Sequence, residues 1–233
     1  MTTGSLSAVV LAAGEGSRMR SARPKPLHRL CGRPMLLHVL DALAALDVRR
    51  VVVVVGHGAA QVEQVLADLA PARLAIELVH QREQRGTGDA VAVGLTGLPD
   101  DPTGEEDVVV LPGDTPLLRP PTLAALVRHH RHRAAAATLL TAEVADAGGY
   151  GRVVRGKDGS VARVVEDVDA TDEERAVTEI NTSIYCFRRS VLAPSLRRLQ
   201  PANEQREYYL TDVVAVLSEA GYKVEALVAA DAM

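Results

Sequence analysis

Five consecutive valines, Val51 to Val55, constrain this chain more than any other feature of its sequence. A strand that is apolar at every position has no face to give to water. It must lie inside a sheet covered on both sides, which is the setting of parallel strands joined by helices. Ala8-Val-Val-Leu11 and Val108-Val-Val-Leu111 have the same continuous character. Between and after these runs the apolar residues recur at helical spacing over 35–46, 59–70, 87–98 and 120–131, with Pro34 suited to a first helical turn and a further strand over 74–80. This alternation predicts an α/β fold, a three-layer α/β/α Rossmann-like sandwich with a mixed, mainly parallel sheet. Beyond Ala134 the pattern changes to shorter strands over 137–143, 152–155, 161–165 and 183–187, then helices over 191–199 and 210–220 and a last strand over 222–228. That second half is less regular and reads as a lid or acceptor site built onto the first. With no linker and no internal repeat, 1–233 reads as one domain.

The first apolar run leads directly into Leu11-Ala-Ala-Gly-Glu-Gly-Ser-Arg-Met-Arg20, followed by Pro24-Lys25-Pro-Leu-His28. A strand entering a glycine turn lets backbone N–H groups approach an anion, and Arg18, Arg20 and Lys25 add positive charge nearby; together they suit a polyphosphate. The two commonest nucleotide loops are excluded. A dinucleotide fingerprint needs a third glycine where Met19 stands, and a P-loop needs Gly-Lys-Ser/Thr at a spacing that Gly14 does not have. On the glycines alone, a tight strand-to-helix turn that binds nothing is an equal reading.

Composition narrows the classes. Hydrophobic residues make up 47% of the 233, and aromatics only 3% with no Trp, so Ala, Val and Leu must fill the core. A net charge of -4 argues against a nucleic-acid partner, and no apolar stretch is long enough to cross a membrane. Cys31 and Cys186, far apart and without a signal peptide ahead of them, read as reduced thiols of a cytoplasmic protein.

Further candidates stand at the ends of the other strands. Asp114, in Leu111-Pro-Gly-Asp-Thr-Pro116, is the candidate metal ligand: Mg²⁺ bound to phosphates takes one or two protein carboxylates and keeps water for the rest. A cap for the following helix is the alternative. Gln81 and Gln84 present amides with a donor and an acceptor each, suited to a nucleobase edge, and Gly86-Thr87 opens the next helix. Gly151, Glu166 and Asn181 lie at turns of the second half, where such groups hydrogen-bond sugar hydroxyls or simply shape the turn. His129, His130 and His132 do not share a helix face and read as a solvated helix end.

Taken in order, the motifs Leu11-Ala-Ala-Gly-x-Gly-Ser-Arg-Met, Pro24-Lys25-x-Leu-His28, Gln81-x-x-Gln-x-Gly-Thr87, Gly113-Asp114-x-Pro-Leu117, Gly149-Tyr-Gly-Arg152, Val165-Glu166-x-x-Asp-Ala170, Glu179-Ile-Asn-Thr182 and Glu207-Tyr-Tyr-Leu-Thr-Asp212 resemble the N-terminal uridylyltransferase domain of the GlmU family, the bacterial N-acetylglucosamine-1-phosphate uridylyltransferases. The resemblance implies transfer of UMP from UTP to N-acetylglucosamine 1-phosphate, with Mg²⁺ as cofactor. In it, Leu11, Ala12, Ala13 and Gly14 line the uridine and phosphates; Gln81, Gly86 and Thr87 read the uracil; Arg18 and Lys25 clamp the triphosphate. Asp114 holds Mg²⁺, and Gly151, Glu166, Asn181, Tyr209 and Thr211 hold the sugar phosphate. The chain departs from the family at Asp89, where a His is common, at Pro112, where an aromatic is common, and at Ser183, where a glycine stands. The family's second metal ligand is an Asn in a Val-Asn segment beyond the last strand, and the sequence reaches Met233 without it and without the left-handed β-helix acetyltransferase domain. The expectation is a monomer for this chain and a trimer where that domain follows. A related nucleotidyltransferase with another acceptor or nucleotide, and a non-catalytic UDP-sugar-binding module, are the alternatives.

Overall fold

The computed structural model describes residues 4–16 and 19–229. It divides into two compact units, Met1–Gln84 with Ala90–Ala124, and Arg85–Asp89 with Ala125–Met233. The strands are mainly parallel and are flanked by helices, as the continuous apolar runs require.

The first unit contains β1 (Leu6–Ala12), a hairpin of the two-residue strands β2 (Arg29–Leu30) and β3 (Arg33–Pro34), α1 (Met35–Leu43), β4 (Arg50–Val55), α2 (Ala59–Leu69), β5 (Ile76–His80) and β6 (Asp107–Pro112), and the division of the chain falls within α3 (Thr87–Leu95) and α4 (Pro120–Arg133). β6, β1, β4 and β5 lie side by side, all parallel. Val51 to Val55 are wholly buried, as are Ala8 to Val10 and Val108 to Leu111. Each such valine contributes about 1.5–3 kcal/mol relative to an exposed one, and this burial holds the sheet. The register aligns the strand ends: Ala12 pairs with Val55, Leu11 with Pro112, and Val55 with His80. The carboxyl ends of the four strands therefore finish at one edge.

One polar pair is sealed into this apolar layer. Ser7 Oγ on β1 donates to the Glu106 carboxylate at 2.6 Å, and both residues are buried.

The second unit contains β7 (Ala137–Glu143), β8 (Arg152–Arg155), β9 (Val161–Val165), α5 (Asp172–Arg175), β10 (Glu179–Arg188), α6 (Arg189–Leu196), α7 (Asp212–Glu219) and β11 (Val224–Val228). β7 is paired on both sides, antiparallel to β10 and parallel to β11, while β8 pairs antiparallel with both β10 and β9. β10 begins at Glu179, four residues ahead of the expected Ser183. A register shift between Asn181 and Ile184 hides the alternation there, and Ser183 sits in the left-handed region at φ 62°. Two features went unexpected. The β2–β3 turn places both Cys31 (φ 49°) and Gly32 (φ 80°) in the left-handed region, as a tight hairpin demands. α5 is a single turn closed by a capping box, with Thr171 Oγ1 accepting the Glu174 N–H and the Glu174 carboxylate accepting the Thr171 N–H.

The histidines of α4 correct the reading of a solvated end. His132 is exposed, but His130 is buried with Nδ1 2.9 Å from Thr138 Oγ1, and His129 Nε2 lies 3.4 Å from the Glu225 carboxylate. Successive helical positions turn by about 100°, so neighbouring histidines reach different surroundings. Both cysteines are free thiols, Cys31 exposed and Cys186 buried. Among the described residues no helix is long and apolar enough to cross a membrane.

Two substitutions test this packing. Ser7→Ala removes a donor from a buried carboxylate and lowers stability by about 1–3 kcal/mol, read from the urea unfolding midpoint. Ser183→Gly relieves a left-handed serine at the β10 bulge and raises stability by about 0.5–1 kcal/mol in the same measurement.

Candidate functional site

In the first unit the site is built from the carboxyl ends of β1 and β6 and the segments beyond them. Leu11 and Ala12 end β1; Ala12 and Ala13 are buried, and Gly14 is exposed. A Cβ added to Gly14 would meet nothing within 4 Å, so the loop borders open space on that side. The Leu11 carbonyl accepts the Gly113 N–H at 2.9 Å, which ties the turn after β6 to the end of β1. Asp114 follows on that turn, mostly buried, and its carboxylate forms an ion pair with the half-exposed Lys25 ammonium. Lys25 itself opens a short helical turn, Lys25–Leu27, closed by the His28 N–H bonding to its carbonyl. The structure thus brings together two of the expected residues from opposite ends of this unit's sequence. Arg18 lies outside the described residues.

Gln81 is buried beyond β5, with its backbone N–H donating to the Val55 carbonyl at 2.8 Å. Gln84, considered with it for the base, donates one amide N–H from Nε2 to the Ala13 carbonyl at 2.9 Å.

In the second unit the segment carrying Gly86 and Thr87 runs against 207–210. Tyr208 N–H donates to the Arg85 carbonyl at 2.8 Å, Gly88 N–H to the Tyr208 carbonyl at 2.7 Å, and Leu210 N–H to Thr87 Oγ1 at 3.0 Å. Gly86, at φ 108°, is required there: a Cβ would lie 2.7 Å from the Tyr208 carbonyl oxygen. Asn181 N–H donates to the Gly151 carbonyl at 2.8 Å, and its buried side chain bonds the Tyr185 hydroxyl at 2.7 Å and accepts the Ser183 N–H at 3.2 Å. Thr211 Oγ1 donates to the Glu166 carboxylate at 3.0 Å. Tyr209 is buried, and its hydroxyl has no partner among the described residues.

The charge around Glu166 is one-sided. Burial raises its pKa; the Thr211 hydroxyl opposes the rise, and Asp212, Asp169 and Asp167 add to it. Asp212 is likewise raised by burial and by Asp169, and the Tyr209 hydroxyl is pushed well above its ordinary range by burial and these carboxylates. Buried Arg152 offsets part of the charge through Asp167, at 3.0 Å, and also donates to the Tyr150 carbonyl, which holds the turn before Gly151. Asp169, Asp212 and Tyr185 were missed as site neighbours by the sequence reading. Asp212 was visible as the acidic residue of a helix's first turn, but nothing in sequence pointed from Asn181 across the bulge to Tyr185.

Chemically, the first unit offers an ammonium, a carboxylate and backbone N–H groups at strand ends, suited to phosphate oxygens and a hard cation. Among the described residues no three His, Cys, Asp or Glu side chains form a metal cage. A single carboxylate still fits Mg²⁺, which dehydrates reluctantly and fills its shell with water and phosphate oxygens. A cation there must compete with Lys25 for Asp114, and doing so frees the ammonium for phosphate. The second unit offers a carboxylate, an amide and hydroxyls, suited to a polyol.

Residues 7–232 match the model of the nucleotidyl transferase family. The chain is 48% identical over 224 residues to the bifunctional protein GlmU of Pelotomaculum thermopropionicum, covering 95% of this chain and 46% of that protein. It is 50% identical to the bifunctional protein GlmU of Streptomyces avermitilis over 96% of this chain and 45% of that one. The chain thus spans about half the length of these curated relatives. A solved structure of UDP-glucose pyrophosphorylase complexed with UDP-glucose superposes with a TM-score of 0.75 at 16% identity, covering 94% of this chain and 88% of that one, and so shares the fold.

The raised pKa of Glu166 makes a stability prediction. A carboxyl whose folded-state pKa lies above its unfolded value contributes stability below the unfolded pKa, about 4.3, and loses it as pH rises through the folded value. Glu166→Gln is therefore more stable than the parent at pH 8 and equal to it below pH 4, measured by urea unfolding at the two pH values. Equal midpoints at both would remove the buried-carboxylate strain from the account.

Proposed function

We propose that this chain, which belongs to the nucleotidyl transferase family, transfers UMP from UTP to N-acetylglucosamine 1-phosphate, giving UDP-N-acetylglucosamine and pyrophosphate. The observation that carries the reading is the Lys25–Asp114 pair, with the turn before Asp114 tied to Leu11 of β1 and the exposed Gly14 three residues beyond Leu11. Support also comes from the similarity to GlmU proteins across nearly the whole chain.

In this reading residues of the first unit hold the nucleotide phosphates. Leu11 to Gly14 line the uridine and phosphates, the Gly14 N–H and Lys25 hold phosphate oxygens, and Gln81, with Gly86 and Thr87, reads the uracil edge. Arg18 joins Lys25 on the triphosphate. Glu166, Asn181, Thr211, Tyr209 and Gly151 orient the sugar phosphate. A phosphate oxygen of the acceptor attacks the α-phosphorus in line; the new P–O bond forms as the bond to the β-phosphate oxygen breaks, and pyrophosphate leaves with that electron pair. The acceptor is already an anion, so no side chain has to remove a proton. The barrier is the approach of two anions, and the ammonium of Lys25 lowers it while compensating charge on the departing pyrophosphate. Bound at Asp114, Mg²⁺ would supply further positive charge to the phosphate oxygens.

The test is Mg²⁺-dependent pyrophosphate release from a panel of nucleoside triphosphates and sugar 1-phosphates. Turnover is expected with UTP and N-acetylglucosamine 1-phosphate, and Asp114→Ala is expected to lower it by about 100-fold or more. Exclusive use of CTP or dTTP would overturn the uridylyl assignment, and near-normal turnover by Asp114→Ala would overturn the metal ligand.

A further inference from the structure

We propose that Gln84 is a positioning residue: by clamping the Ala13 carbonyl it fixes the peptide between Ala13 and Gly14 so that the Gly14 N–H faces the nucleotide phosphates. The inference rests on the reading of the β1 loop as the phosphate-binding element.

Three neighbours seat Ala13. Its carbonyl oxygen accepts two hydrogen bonds, from Gln84 Nε2 at 2.9 Å and from the His57 N–H at 3.2 Å, so both lone pairs are used. Gly56, directly after β4, lets the chain close on it: a Cβ at that position would lie 2.9 Å from the Ala13 oxygen and 3.0 Å from its Cβ. The described residues contain no cis peptide. In a trans peptide the C=O of one residue and the N–H of the next point in opposite directions. Drawing the Ala13 oxygen toward Gln84 and His57 therefore turns the Gly14 N–H the other way. Among the described residues that N–H has no partner, Gly14 is exposed, and the space beside it is open.

The clamp is needed because of the residue after Ala13. Glycine imposes almost no barrier on its own φ, so the 13–14 peptide is free to rotate unless its oxygen is held. Rotation would replace an N–H donor with a carbonyl dipole facing phosphate oxygens, turning attraction into repulsion. Gln84 suits the task because its amide donates without carrying charge, and it arrives from the segment after β5, whose register with β4 is set by the buried sheet.

The experiment uses the full chain and two ligands, UTP and inorganic tripolyphosphate, which has no base. Gln84→Ala removes the donor; Gln84→Glu keeps the shape but presents only acceptors to the carbonyl. Calorimetric titration in Mg²⁺ is expected to show both variants losing about tenfold in affinity for tripolyphosphate and by the same factor for UTP. In pyrophosphate release kcat falls by a similar factor while the KM for N-acetylglucosamine 1-phosphate stays unchanged, and thermal melting stays within a few degrees of the parent. A loss confined to UTP, with tripolyphosphate binding intact, would assign Gln84 to the base and overturn the clamp. Unchanged affinity for both ligands in Gln84→Glu would overturn it too, as would a parent chain that fails to bind tripolyphosphate. Absence of turnover in the parent with UTP and N-acetylglucosamine 1-phosphate would instead count against the proposed reaction, and the tripolyphosphate arm would still decide the role of Gln84.

Discussion

The burial of β1 between β4 and β6 is the constraint on which the first unit depends. With both neighbours parallel and in register, Ala12 is level with Val55 and Leu11 with Pro112. All three strands end at one edge, and the chain leaves the sheet there in loops whose backbone groups no longer belong to the strand ladder. That is why Gly14, Asp114 and Gln81, widely separated in sequence, converge on strand ends, and why Lys25 finds Asp114. The apolar interior supplies the rigidity; the polar edge supplies the chemistry.

In the second unit the corresponding device is an irregularity. The shift in β10 between Asn181 and Ile184 interrupts a ladder that otherwise pairs through to Phe187. It leaves the Asn181 side chain bonded to Tyr185 and to the Ser183 backbone, and thereby held in one orientation. Ser183 takes a left-handed conformation to make this possible, at a position where glycine would do so without strain. Glu166, partly buried among other carboxylates, adds a second stability cost in the same unit. Strain and unfavourable charge thus gather in the same unit.

Both units also show backbone held by side chains at the candidate sites. Gln84 bonds the Ala13 carbonyl, Arg152 the Tyr150 carbonyl, and Thr87 Oγ1 the Leu210 N–H. Loops beyond strand ends have no ladder to fix their peptide planes, so side-chain donors and acceptors take over that function.

The sequence by itself determined the α/β layering, because continuous valine runs can be satisfied only inside a covered parallel sheet. It also marked the strand-end residues Gly14, Gln81 and Asp114, since strand ends can be located from where the apolar runs stop. It missed the start of β10, because a bulge breaks the period of two on which strand reading relies, and it misplaced His130, because an i to i+1 neighbour on a helix meets different surroundings. Only the tertiary structure decided that Lys25 pairs with Asp114, that Gln84 serves Ala13, and that Glu166 sits among Asp169 and Asp212. Apart from Glu166 and Asp169, these residues lie tens of positions from one another; spacing along the chain records periodicity, whereas partners across it are set by register and by which loops the buried sheet brings to a common edge.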